Sequence, residues 1–471
     1  MTTDVITHVT DIDARLQALF VSLDELKDRC STINTAEDLE KLELEARSIS
    51  QEIGDLTVAK VLQNRINQKE FRDECREVAN KCGKQLVYKG LRQVQVRFSG
   101  GTIISLQVPY WSRKGAAGRR GKGLYPSLYL LGIYDHCTPL LASEVALTST
   151  ALASLEEAQN MLKSRGCLLN IKTIRRVAKQ FSRRARLSCK MDGLPLPEDH
   201  SLKGRRIVMS TDGGRLRVRK SKQGRKTKKR RHRYSTDWRE PKLIIIYTTN
   251  ENGRIDKLFL PLIDGTLGGP DAAFGLLYRY IKILGISDAD KLLFVADGAL
   301  WIWERVRLLK AMLVEVGMIC EVIELIDFYH AVEHLNDFAK LKKTWNASKR
   351  KKWVKVQKKA LKQGKIEEVI TALRQAAQNS KSKRLRREVE YFVKNRHRFN
   401  YDQMTVAGLP MGSGAMESAI RRVVNLRLKG PCIFWNEDTA EEMLLLRSYY
   451  KTGRWEQLKT MAYRGGLRDV A

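Results

Sequence analysis

Asp212, Asp297 and Glu417 stand where a carboxylate has little local reason to be. The two aspartates close short apolar runs, 207–209 and 292–296, that read as buried strands. Glu417 falls one turn into a helix expected after Gly412, Ser413 and Gly414. Gly213 and Gly298 follow the aspartates and let backbone or substrate come close. Carboxylates from two strand ends and one helix, gathered by a parallel or mixed sheet, can hold two Mg²⁺ ions, with Mn²⁺ able to substitute. Such ions, about 3.5–4 Å apart, activate a nucleophile and stabilise the leaving oxygen of a phosphodiester. A lone Asp after a strand is more often a turn former or helix cap, and Glu417 could simply pair with Arg421 one helical turn on. Only joint placement makes a site of the three.

A second cluster is DFYHAVEH, with Asp327, His330 and His334. HAVEH fits the H-x-x-E-H pattern of a zinc peptidase, but that reading explains neither the charge nor the acidic trio. Just past an expected fifth strand, Asp327 and His330 would lie near Asp212. There they would contact a scissile phosphate or order a catalytic carboxylate; a hydrogen-bonded structural pair is the alternative.

The chain of 471 residues carries 86 Lys and Arg against 53 Asp and Glu, a net charge of +33. Self-repulsion of that size points to a polyanionic partner, and nucleic acid fits best. Residues 215–233 hold twelve Lys or Arg in nineteen, among them Arg225, Lys226, Lys228, Lys229, Arg230 and Arg231. Lying between two expected strands, this run reads as a hairpin tip gripping DNA. From Asn170 the pattern puts Ile171, Ile174, Val177 and Ala178 on one helical side and Lys172, Arg175, Arg176 and Lys179 on the other. After the Gly166 turn this is helix-turn-helix grammar, with a helical bundle of basic surface as the alternative. Arg421 and Arg422 add cations beside Glu417. Residues 341–359 form a basic helix whose Trp345 and Trp353 are core or stack on extruded bases, core being favoured.

Eight cysteines occur singly, which argues against a zinc ribbon or a disulfide framework and for a reducing compartment. The N-terminus shows no basic-then-apolar leader, and no run approaches 18 apolar residues. A cytoplasmic, nucleoid-associated protein with no membrane partner is expected.

The organisation follows from pattern changes. Residues 1–84 read as a helical arm or a partly coiled dimerisation segment, with a solvated helical hairpin packed on the body as the equal alternative. Residues 85–138 read as a β-hairpin region with a basic Gly/Arg loop at 112–123. Three short helices at 139–190, the second opened by a Ser154–Glu157 capping box, form the helix-turn-helix-like domain, and 191–205 a linker. Residues 206–326 predict strands at RIVMS (continuing through Arg219), 242–249 and 257–263, then helix, strand 291–296, helix and strand 320–326. That is the order of an α/β ribonuclease H-like core, a mixed sheet flanked by helices. An all-α insertion at 327–411 would delay its last part, 412–471, which carries the Glu417 helix.

At STDGGRLRVRK, WREPK (238–242), ADGALWIW, DFYHAVEHL, GLPMGSGAMESAIRRVVNLRLKGP and RSYYKTGRWE the chain resembles bacterial insertion-sequence DDE transposases of the ISKra type. It is more distantly similar to Mutator-type transposases. The resemblance covers about residues 120–465. It implies that Asp212, Asp297 and Glu417 take the metal-ligand positions, and that Asp327 and His330 match the D-x-x-H motif of Mutator-like enzymes. It implies metal-activated water cutting a transposon end, then attack of the freed 3′-hydroxyl on target DNA without a covalent enzyme intermediate. The partners would be double-stranded terminal inverted repeats, target DNA and further copies of the chain, at least a dimer. One departure is the missing cysteine-pair zinc module, in whose place the 112–123 loop stands. A domesticated, cleavage-silent DNA-binding regulator and a ribonuclease H-like nuclease without strand transfer are the competing readings.

Overall fold

The computed structural model describes residues 6–82, 86–113, 123–191, 202–228, 230, 232–286, 289–315, 317, 322–378, 380–431 and 433–464. The chain divides into two compact units, residues 1–195 with 456–471, and 196–455.

The first unit begins with β1 (Ile6–His8), α1 (Ile12–Glu25), α2 (Ala36–Asn67) and α3 (Lys69–Lys81). A long hairpin, β2 (Leu86–Arg97) and β3 (Ile103–Arg113), follows, then β4 (Gly123–Leu124) and α4 (Pro126–Leu130). The period-2 residues Val94, Val96 and Phe98 are buried, as alternation requires. They share one core with Leu19, Leu56 and Ile66 of α1 and α2. The helices before residue 84 are thus packed on the β-hairpin, as the packed-hairpin alternative expects. Asp55 of α2 fixes this union, accepting from Gly100 N and Thr102 N at 3.1 Å each. Burial pushes its carboxyl above the usual range, against the pull of these amides.

Next come α5 (Pro139–Ala151), α6 (Leu155–Lys163) and α7 (Ile171–Met191), packed around Val145, Leu162, Ile174 and Val177. Ser154 caps α6 from Glu157 N at 3.0 Å, while the Glu157 carboxylate reaches Ala153 N instead of closing the expected box. The turn into α7 holds Gly166 at φ +87. A side chain at Gly101 would strike its carbonyl oxygen at 2.3 Å, so two glycines meet where hairpin and helical turn touch.

The second unit holds a five-stranded mixed α/β sheet. Its strands and following elements are β5 (Arg206–Gly213), β6 (Leu216–Ser221), β7 (Tyr234–Arg239), β8 (Lys242–Thr249) and β9 (Leu262–Thr266). Then come α8 (Gly269–Leu284), β10 (Lys291–Ala296), α9 (Leu300–Glu315) and β11 (Val322–Ile326). The sheet order is β11-β10-β5-β8-β9, antiparallel from β5 to β9 and parallel from β5 to β11. All eight residues of β8 are buried, as a continuous apolar run in mid-sheet should be. Two expectations shift. The strand predicted from 257 starts only at Leu262, after Pro261, which has no N–H to give a ladder. The continuation through Arg219 is a separate two-stranded hairpin, β6–β7, set off by Gly213 and Gly214.

Between residues 328 and 406 the described elements are helices, among them α10 (Phe328–Leu341), α11 (Ala347–Lys362), α12 (Ile366–Ala377), α13 (Lys383–Lys394) and α14 (Tyr401–Val406). Trp353 stacks at 5.3 Å on fully buried Phe338 and meets Trp345 at 5.4 Å, so the tryptophans pack on the bundle's own core. The chain returns as α15 (Gly414–Ile420) and α16 (Glu437–Lys451), and α17 (Trp455–Arg464) follows. From Glu456 onward α17 clusters with the first unit, where Tyr463 donates to Pro139 O at 3.1 Å, whereas residues 412–471 were expected to close the α/β core. Among the described residues no helix is long and apolar enough to cross a membrane.

Candidate functional site

β5 and β10 run parallel as neighbours, Lys291 opposite Arg206 and Phe294 opposite Met209. The pairing ends there; Asp212 and Asp297 each lie three residues further along, close enough for the Asp297 charge to act on Asp212. The charges there are poorly compensated. Burial pushes Asp212 up to about 6; the Gly213 amide, at 2.6 Å, opposes this, and the Asp297 charge adds to it. His330 and Lys242 pull more weakly the other way. Asp297 accepts from Ala299 N at 3.0 Å, a turn-like bond that leaves its second oxygen available.

The glycines after both aspartates have a visible reason. A Cβ on Gly213 would meet Glu240 Oε1 at 2.0 Å, and one on Gly298 would meet the Tyr391 ring at 2.1 Å. Protein groups make the close approach expected there of backbone or substrate.

Asp327 caps α10 and is fully buried. Its Oδ1 accepts from Tyr329 N at 2.7 Å and His330 N at 2.9 Å. Its Oδ2 accepts from Ser413 Oγ at 2.7 Å and from Ser413 N. Four donors occupy a carboxylate's whole capacity. Of the roles expected for Asp327, these bonds favour the structural one, clasping the start of α10 to the loop before α15. His330 is half-buried, 3.2 Å from Glu333, and close enough for its charge to act on Asp212. His334 turns elsewhere, to Glu388 at 2.7 Å and face to face on Tyr391 at 3.7 Å. The two histidines thus serve separate carboxylates, which does not suit the peptidase pattern.

Glu417 is not gathered with the aspartates. α15 packs on β5 and β8 through buried Met416 and Ala419, and the next turn continues the stripe with Val423. Glu417, one residue round from Met416, is exposed. Among the described residues no three His, Cys, Asp or Glu side chains are grouped to hold a metal ion. Past Ile420 the helix widens into a π-turn, Arg421–Asn425. Buried Arg447 satisfies its freed carbonyls, donating to Val423 O at 2.8 Å and to Arg422 O. Burial holds that guanidinium down to about 10.

Sequence reasoning missed Lys242, Glu240, Tyr391 and Arg447. Lys242, opposite Gly213, is buried 4.0 Å above Trp301 and 2.7 Å from Glu240. Its signal was a lysine opening an apolar strand in WREPK.

The expected DNA-facing cations divide. Lys172 and Arg175 are exposed on α7, Arg176 pairs with Asp135 at 3.1 Å, and Lys179 is half-buried. Further along α7, Arg184 is buried against Tyr134, while Arg183 and Lys190 are exposed. Arg225, Lys226, Lys228 and Arg230 are exposed between β6 and β7; Lys229 and Arg231 lie outside the described residues, as does most of the 112–123 loop. Arg421 is exposed, whereas Arg422 donates to Lys451 O at 3.1 Å. No family model, curated protein or solved structure matches the chain.

Proposed function

We propose that this chain is a DDE transposase of the insertion-sequence type, cutting DNA at element ends and joining the freed 3′-hydroxyl to target DNA. One observation carries the reading: Asp212, at the end of β5, and Asp297, directly after the neighbouring parallel strand β10, stand close enough for their charges to interact, and burial holds Asp212 above the usual carboxylate range. Mixed strand order, a helical segment after the fifth strand and a Glu417 helix packed on β5 and β8 support a ribonuclease H-like core with an all-α insertion. The net charge of +33 and the exposed cations of α7 and the β6–β7 tip support a nucleic-acid substrate in the nucleoid.

The donor set suits a hard divalent cation, since both aspartates retain oxygen lone pairs. Asp212 and Asp297 would hold it; Glu417, exposed on α15 and not grouped with them here, would join as third ligand only after a movement of α15. When bound, such an ion polarises a phosphodiester oxygen and acidifies water. The chain's own groups orient the site: Asp327 fixes His330 at its rim, and Lys242 sets the charge behind Asp212.

The test is incubation of the full-length protein with the DNA flanking its gene, with and without Mg²⁺. The expected result is Mg²⁺-dependent cutting at inverted repeats and joined products. Cutting without joining would favour a nuclease, and binding alone a silent regulator.

A further inference from the structure

The β6–β7 hairpin leaves the sheet directly after Asp212 and returns at Lys242. Leu216 and Val218, on one of its faces, are fully buried, and backbone bonds between Arg219 N and Trp435 O (2.8 Å) and Trp435 N and Arg217 O (2.9 Å) seat it. The opposite face has a different composition. The register sets Arg217 beside Trp238 and Ser221 beside Tyr234, with Arg219 between them. The Arg217 guanidinium lies 4.7 Å from the Phe434 ring and 5.5 Å from Trp238. Arg219 lies 4.4 Å from Tyr234 and 4.8 Å from Phe434. Yet Trp238 is 55% exposed and Tyr234 47%. Nothing in the folding of the hairpin calls for that much aromatic surface in water.

We infer that this arginine–aromatic face is a stacking platform for unpaired nucleotides of the DNA strand engaged at Asp212. The inference rests on the nucleic-acid reading above and adds the class of ligand. Bases stack on aromatic rings and guanidinium planes whatever their sequence, while phosphates follow cations. Both are present here, the exposed Lys and Arg of the tip continuing from the platform. An apolar protein partner would leave two arginines without anions. Five residues of chain span at most about 18 Å, so Arg217 stands within a few nucleotides of the acidic pair.

The test uses the full-length protein without divalent metal, titrated by fluorescence anisotropy against a labelled single-stranded oligonucleotide and the same sequence as a blunt duplex, at one salt concentration. For the double variant Y234A/W238A the expectation is a roughly tenfold or greater loss of single-strand affinity, with duplex affinity within twofold of wild type. W238F should recover most of the loss, and the tip variant K226Q/K228Q should weaken both DNAs alike. Equal losses on both DNAs by Y234A/W238A, or no loss on either, would overturn the platform while leaving DNA binding standing. Wild-type protein that binds neither DNA would overturn the underlying reading as well.

Discussion

Asp327 and the pair Asp212–Asp297 end three strands of the same sheet, yet they have opposite surroundings. Asp327 receives four hydrogen bonds from α10 and Ser413 and is sealed from water. Asp212 accepts from the adjoining Gly213 amide and feels the Asp297 charge more strongly than those of His330 and Lys242. A carboxylate whose lone pairs are spent on its own chain is architecture. One left with spare lone pairs beside a like charge is where an external cation is of use.

Activity should show the contrast most strongly. D212N and D297N keep shape and remove charge, so DNA cutting should fall on the order of 10³-fold in single-turnover assays, with DNA affinity intact or raised. E417Q should do the same if Glu417 completes the set. A variant that cuts at near wild-type rate loses its place in the site. For Asp327 the largest effect should be on folding. D327A strips four buried donors of their acceptor, costing roughly 3 kcal/mol or more, read as a drop of several degrees in thermal midpoint. An unchanged midpoint would show that the clasp is dispensable.

The smallest effect depends on pH, in metal-free protein. With Asp212 held up to about 6, its contribution to stability is present below the ordinary carboxylate pKa of about 3.9 and is lost as pH rises through 6. D212N should therefore gain on the order of 1–2 kcal/mol over wild type at pH 7.5, shrinking toward nothing at pH 4. Urea unfolding across that range measures it, and a difference that stays constant with pH would place the variant's effect elsewhere.

Much of the framework was legible because it is local. Val94, Val96 and Phe98 alternate, 207–209 and 292–296 are apolar enough to be buried, and Gly166 marks a turn. The site was legible only in part. Asp212 and Asp297 were readable as strand-end carboxylates, but the role of Asp327 depends on Ser413, 86 residues away, and no spacing announces that bond. Lys242 and Tyr391 are ordinary residues until folding sets them against Gly213, Trp301 and Gly298.

The chain alone determined which segments become strands and helices, since period, apolar content and glycine act over a few residues. It also determined that two aspartates close strand-forming runs and that the chain is strongly cationic. Only the tertiary structure decided which carboxylates are used up and which are left over. Hydrogen-bond partners and burial depend on what packs against a residue from afar: Ser413 closed around Asp327, while Met416 and Ala419 turned Glu417 outward.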